Sequence, residues 1–337
     1  MDVELRPLGR SGLRVTPVAL GCWPIAGITS VGVTPEASRE TVAAALDAGV
    51  NHFDTAHAYG YAGESERIVG EVLFASREDV VIASKAGLVW GDRRGMPVDA
   101  GVTVPVKRPQ VKDGRPETIR RQCEESLRRL NTDRIDLYYL HAPDPKVPLA
   151  ETAGAFRELR DAGKVLAVGV SNFTKEQQYA DFAAACPISV DQQPYNMLQR
   201  DIEADRIPWA RRHGEPDVLL TTYWPLMKGL LAGKIGRDHR FEPGDSRPGY
   251  PVFQEPEWSK THDFLDRLRP VAERLNLTVA QLVIAWTSRR PGVGSVLCGA
   301  KRPDQIRETA AAMTADLPEP ALRLIDDAIA RRGPVGG

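Results

Sequence analysis

The chain has 337 residues, 42% of them hydrophobic and 26% charged, the balance of a soluble globular protein. Its net charge of −1 leaves no electrostatic footprint for nucleic acid or for a membrane surface. No apolar run approaches a membrane span, and the stretch around Asp2, Glu4 and Arg6 lacks the apolar segment of a signal peptide. Cys22, Cys123, Cys186 and Cys298 lie far apart with no C-x-x-C pair, which reads as free thiols and a cytoplasmic location.

Residues 1–337 read as one domain. Residues 5–16 open it as a β-hairpin, with Ser11-Gly12 near the turn, that caps the bottom of a barrel. Strand-like runs then begin near Pro17-Val18-Ala19-Leu20, Asn51-His52-Phe53 and Val80-Val81-Ile82. Ile135-Asp136-Leu137-Tyr138-Tyr139-Leu140, the run 165–170 and Ile188-Ser189-Val190 follow, and Asp217-Val218-Leu219-Leu220-Thr221-Thr222 and Ser295-Val296-Leu297-Cys298 complete eight.

Helices with clear start and stop signals separate them. Thr34-Pro35 is an N-cap followed by proline at the first helical position, and Gly49 ends that segment. Pro116 opens another, where Glu124 with Arg128 and Glu125 with Arg129 are spaced as helix-supporting pairs. The segment 148–162 stops at Gly163, and Thr278 caps 279–288. Parallel strands need such crossovers, so the alternation predicts an α/β fold, a (β/α)8 TIM barrel. Gly292-Val293-Gly294 reads as a turn before the last strand. Two stretches, 86–115 and 235–258, are rich in Gly, Pro and charge and too long for ordinary connections; both are expected as long loops on the C-terminal, active face.

Three ionisable side chains end strand-like runs, and a fourth stands on the loop after one of them. Asp54 follows His52-Phe53, with Tyr59 five residues on; Lys85 closes the third run and His141 the fourth. A phenol titrates near ~10 and is a poor acid or base at neutral pH unless assisted. A nearby ammonium lowers that value, and a carboxylate orients the ammonium. A neutral imidazole can polarise a carbonyl while the phenol delivers a proton. Together these parts suit reduction of a carbonyl by hydride from a cofactor. Each alone has a structural use: Asp54 as a cap, Tyr59 as a rim aromatic, Lys85 as a solvated charge, His141 as a core histidine. Their joint placement at strand ends favours one shared site.

The fingerprint G-x-G-x-x-G is absent, so a nicotinamide would have to be held by barrel loops. Ser171 and Asn172 end the fifth run with side chains suited to a carboxamide. Tyr223 offers an aromatic face for stacking, and Lys301-Arg302 beside a helix start make a phosphate site, or simply a solvated pair. Trp23, Trp90 and Trp224 could wall the substrate pocket or pack in the core.

On these residues the chain resembles the aldo-keto reductase superfamily. The likeness is carried by Asp54-Thr55-Ala56-His57-Ala58-Tyr59-Gly60, by Ala83-Ser84-Lys85, and by the run from Ser126 to His141. Gly169-Val170-Ser171-Asn172-Phe173, Gln192-Gln193-Pro194-Tyr195-Asn196, Tyr223-Trp224-Pro225-Leu226 and Gly299-Ala300-Lys301 with Gln305 and Glu308 continue it. The resemblance implies NAD(P)H bound in extended form and hydride transfer to an aldehyde or ketone. It assigns Tyr59 as proton donor, Lys85 and Asp54 as its tuning pair, and His141 as carbonyl orienter. Ser171, Asn172 and Gln192 match positions that hold the carboxamide, and Tyr223 the residue that stacks on the ring. Pro225, Leu226, Lys228 and Gly229 match the pyrophosphate loop, and Gly299, Lys301, Gln305 and Glu308 the adenosine end. Gly21, Trp23, Asp54 and Thr309 complete the expected cofactor-binding set; Thr309 stands where asparagine is common, and Trp224 where a small residue is.

Two cations after the last strand favour NADPH over NADH, since a 2′-phosphate rewards such charge. The expected partner is a small carbonyl or alcohol substrate. A cofactor-bound regulatory or sensing subunit is the alternative, and a lyase using Lys85 as a Schiff base is a third reading.

Overall fold

The computed structural model describes residues 3–27, 32–91, 96–97, 110–208, 219–242 and 245–335. Eight parallel strands close a barrel in sequential order: β1 (Val18–Gly21), β2 (His52–Asp54), β3 (Val81–Ala86), β4 (Ile135–Leu140), β5 (Val165–Ser171), β6 (Val190–Pro194), β7 (Leu219–Tyr223) and β8 (Val293–Gly299). Helices wrap the outside, and none of those described is long and apolar enough to cross a membrane.

The signals read from the sequence act locally as expected. Helix α1 (Pro35–Asp47) starts at Thr34, whose hydroxyl accepts from the amide of Ala37. In α2 (Pro116–Leu130) Arg129 keeps its partner Glu125 at 3.8 Å, but Glu124 is taken by Lys164 instead of Arg128. Helix α3 (Leu149–Asp161) ends before Gly163, and α4 (Val279–Ser288) carries a capping box from Thr278 and Gln281. The hairpin pairs Arg6 with Val15 and Pro7 with Arg14 around a left-handed Gly12. Its Leu8 and Val15 plug the barrel floor against Val81, Ala83, Leu137, Tyr139, Ala167 and Val190.

Three expectations are corrected. The sixth strand starts at Val190 rather than Ile188, which places Gln192 within it. Gly292 is a turn residue, but Val293 and Gly294 already belong to β8, with Val293 paired to Leu220. Of segment 86–115, the described residues form a small antiparallel sheet, Leu88–Trp90 beside Gln110–Lys112 beside Met96–Pro97, rather than plain loop. Segment 235–258 carries short 3-10 turns at Arg247–Gly249 and Pro251–Phe253. The expected start of the seventh strand, Asp217-Val218, lies outside the described residues.

Strand side chains alternate between barrel interior and helix layer, and this alternation positions the site. On β3, Ile82 and Ala86 join the outer core while Val81, Ala83 and Lys85 face inward. On β4, Tyr138 and Leu140 face out, and Leu137 and Tyr139 face in. Gly169 on β5 leaves room for Tyr139, because a Cβ there would meet the Tyr139 ring at 2.4 Å. Val81, Ala83, Leu137, Ala167 and Val190 line the lower interior, with His52 and Ser295 bonded there at 3.3 Å, and Asp54, Lys85 and Gln192 take the next inward positions of their strands above them.

Candidate active site

Lys85 and Asp54 meet in that upper layer, each about 1% exposed. The Lys85 ammonium donates to Asp54 Oδ1, to the Thr55 carbonyl at 2.8 Å and to Tyr59 Oη at 3.3 Å, so all three protons have acceptors. Asp54 Oδ2 accepts from Gln192 Nε2 at 2.8 Å. Burial alone raises the carboxyl and lowers the ammonium, and their mutual contact opposes both shifts. The charged pair is matched by hydrogen bonds on both sides, as a buried ion pair requires.

Tyr59 arrives on a loop rather than a strand. Its amide donates to Ala56 O at 2.9 Å, and its carbonyl accepts from Ser65 N at 3.2 Å. The turn after it needs Gly60, whose φ is +110° and whose missing Cβ would fall 2.7 Å from the Glu64 amide. Arg129 Nη1 reaches the His57 carbonyl at 3.3 Å and Glu66 at 3.1 Å, and Glu66 accepts from Ser84 on the outer side of β3 at 2.6 Å.

Burial, with Asp54 and Cys22, pushes the Tyr59 phenol well above its ordinary range. A nearby Lys85 charge alone would lower it, but desolvation outweighs a cation whose charge Asp54 already matches. The phenol is therefore held as an acid. Burial and then the Lys85 charge keep His141 well below the ordinary histidine range, so its ring is neutral. That ring meets Tyr59 edge-on with centroids 5.7 Å apart, and its Nδ1 has no hydrogen-bond partner among the described residues. Asp54, Tyr59, Lys85 and His141 are thus brought together at one mouth.

The candidate carboxamide holders form a continuous chain of bonds. Tyr223 Oη donates to Asn172 Oδ1 at 2.7 Å, and Asn172 Nδ2 donates to Ser171 Oγ at 3.1 Å and to the His141 carbonyl at 2.8 Å. Ser171 Oγ donates to the Gln192 carbonyl at 2.9 Å, and Gln192 leads to Asp54. Asn172 holds a left-handed φ of 60° to do this. Gly21 pairs with Asp54 on one side and Gly299 on the other.

Beyond Tyr223 the chain turns sharply at Trp224, Pro225 and Leu226, with left-handed φ at Trp224, Met227, Lys228 and Gly229. Lys228 Nζ sits 5.1 Å from the Trp224 ring and 4.4 Å from the Tyr250 ring. Burial pulls Lys228 down to about 8, and Arg247 and Lys301 act in the same direction. Lys301 is lowered too, by burial and then by Arg247. Asp245 is the neighbouring carboxylate, and Arg247 binds it. The sequence reading missed Arg247, whose only signal was its place in the long segment 235–258.

At the far end Gln305 Oε1 accepts from the Lys301 amide at 2.8 Å, and Glu308 binds Lys234 at 2.6 Å. Thr309 is placed otherwise: it is buried, and its hydroxyl returns to the Gln305 carbonyl at 3.1 Å. Of the tryptophans, Trp23 lies 4.9 Å from the Tyr59 ring and Trp90 4.9 Å from the Tyr61 ring, while Trp224 is exposed beside Lys228.

A parallel barrel that gathers a phenol, an ammonium, a carboxylate and a neutral imidazole at the C-terminal ends of its strands has the parts for acid–base chemistry at the face where barrel enzymes carry their active sites. The aldo/keto reductase family model matches residues 17–330, and the chain belongs to that family. It is 36% identical over 309 residues to the aldo-keto reductase YhdN of Bacillus subtilis (strain 168), covering 90% of this chain and 87% of that one. It is 32% identical over 319 residues to the NADH-specific methylglyoxal reductase of Escherichia coli (strain K12), covering 92% and 94%. Among solved structures, the glycerol dehydrogenase AKR11B4 of Gluconobacter oxydans superposes with a TM-score of 0.85 at 33% identity over 99% of this chain and 97% of that one. The protein is an oxidoreductase enzyme.

Proposed function

We propose that this oxidoreductase reduces an aldehyde or ketone to an alcohol with NADPH, Tyr59 supplying the proton. The observation that carries the reading is the buried contact of Lys85 with both Asp54 and Tyr59. Named reductase and dehydrogenase relatives put this ahead of a regulatory subunit.

The residues fit a nicotinamide dinucleotide. Among the described residues, Lys228, Arg247 and Lys301 concentrate positive charge that their neighbour Asp245 does not match, and their mutual repulsion suits a phosphate ligand. Ser171, Asn172 and Gln192 would hold the carboxamide, Tyr223 the ring, Pro225 to Gly229 the pyrophosphate, and Gln305 and Glu308 the adenosine end. Bound there, the cofactor supplies the hydride that the carbonyl carbon receives.

The side chains do the proton work. His141, neutral, orients the carbonyl oxygen by hydrogen bonding without adding charge. Tyr59, protonated through the neutral range, gives its proton to that oxygen as negative charge develops. Lys85 then faces the resulting phenolate, and Asp54 keeps Lys85 charged and aimed. Each event adds one hydride and one proton to the carbonyl, which balances an alcohol. Four buried free thiols support a cytoplasmic setting.

The preference for NADPH rests on the same three cations, although one relative is NADH-specific. Kinetics with both cofactors test it in wild type and Lys301→Ala. The variant is expected to lose efficiency with NADPH and little with NADH; equal efficiency throughout would remove the preference and leave the reductase.

A further inference from the structure

We propose that Trp90, in the small sheet after β3, is a positioning residue for Tyr59, clamping the carbonyls of the two residues that flank it. This rests on the reading of Tyr59 as proton donor. Asp54 and Lys85 are fixed by their strands, but Tyr59 sits on a loop, and loops move unless something holds them. The Trp90 indole N–H donates to the Ala58 carbonyl at 3.0 Å and to the Gly60 carbonyl at 2.9 Å. These are the carbonyls of the residues immediately before and after Tyr59.

A second donor reinforces the first. Gln110 Nε2 reaches the Ala58 carbonyl at 3.2 Å, and Gln110 is the register partner of Trp90 in that sheet. The two donors therefore approach as one rigid unit. The indole also packs edge-on against Tyr61, with centroids 4.9 Å apart, so its ring is held on the far side of the turn. Indole has one N–H and no acceptor, and that single donor is shared between two carbonyls two residues apart. Trp90 holds the Ala58–Tyr59 peptide and the Gly60 carbonyl beyond it, and the Tyr59 carbonyl between them is held by the Ser65 amide at 3.2 Å, so the backbone that directs the Tyr59 side chain toward Lys85 is pinned along its length. Trp90 touches no reacting atom in this account; it acts through Tyr59. The small sheet is thereby coupled to the chemistry.

The test removes the N–H and keeps the ring, by incorporating 3-benzothienylalanine at position 90 in the full chain, with Trp90→Phe as the genetic counterpart. Loss of alignment at the proton donor is expected to lower kcat by about ten- to a hundredfold. KM for the carbonyl, cofactor affinity and the thermal midpoint should stay close to wild type. In a Tyr59→Phe background the same change should cost nothing further, since the aligned phenol is already gone. Gln110→Leu should give a smaller loss of kcat in the same sense. If the benzothienyl protein keeps wild-type kcat while Tyr59→Phe is inactive, the clamp is overturned and the donor reading survives. If Tyr59→Phe is fully active, both are overturned. A loss of kcat that persists undiminished in the Tyr59→Phe background assigns Trp90 to general folding and overturns the clamp.

Discussion

Lys85 Nζ lies 3.3 Å from the Tyr59 phenol oxygen while it is bound to the Asp54 carboxylate, with Lys85 and Asp54 both shut away from water. The ammonium is thus shared between a permanent anion and a group that becomes an anion only during reaction. That sharing ties the stability of the barrel mouth to its chemistry.

Removing one partner of the buried pair should be expensive. Lys85→Met leaves Asp54 buried beside Gln192 without its cation, and a loss of about 3–5 kcal/mol of unfolding free energy is expected. Adding Asp54→Asn should recover much of it while activity stays lost. Denaturant unfolding of the single and double variants checks this, and additive losses would mean that the pair is not coupled.

Acid should destabilise the fold through two histidines. Burial pulls His52 down to about 3, and His141 is held well below the ordinary range by burial and Lys85. Below the ordinary histidine pKa the unfolded chain takes up protons that the folded one refuses, so stability rises with pH through that window. The slope is about 1.4 kcal/mol per pH unit for each group. His52→Gln should flatten the profile between about pH 6.5 and pH 3, as measured by urea midpoints.

Cofactor affinity should weaken on the alkaline side. Lys228, lowered to about 8 chiefly by burial, carries its charge below that pH and loses it above. The dissociation constant for NADPH, followed by tryptophan quenching, should begin to rise near there. Lys228→Arg keeps the charge at every accessible pH and should remove the rise. A profile unchanged by that replacement would take Lys228 out of the phosphate site.

Arg247 should matter more to NADPH than to NADH. Arg247→Ala removes a cation whose charge acts on both Lys228 and Lys301, and a tenfold or greater loss of NADPH affinity, about 1.4 kcal/mol, is expected. Titration of both cofactors checks it; equal losses would assign Arg247 to the shared phosphates.

What the chain disclosed in advance follows from which forces are local. Thr34, Thr278 and Gly12 act within a few residues of themselves, so caps and hairpin could be read directly. Asp54, Lys85 and His141 could be placed because period-two alternation carries them to one face of successive strands. Contacts made across the fold were hidden. Helix spacing offers Glu124 only Arg128, and the fold brings Lys164, 40 residues on in the chain, to it instead. The segment 86–115 showed loop composition because short strands with Gly and Pro between them lack periodicity. Its Trp90 could not be distinguished from a core or pocket residue until its N–H met two carbonyls. Burial was hidden as well: it reverses the direction expected for Tyr59, since desolvation depends on neighbours from every strand.

The central claim is that Tyr59 delivers the proton to a carbonyl. Its most direct test is the rate of NADPH oxidation with a panel of aldehydes and ketones, comparing wild type with Tyr59→Phe. A loss of about 10²- to 10⁴-fold in kcat with cofactor binding intact is expected, because phenylalanine keeps the ring and removes only the acidic oxygen. Full carbonyl reduction by the phenylalanine variant would contradict it.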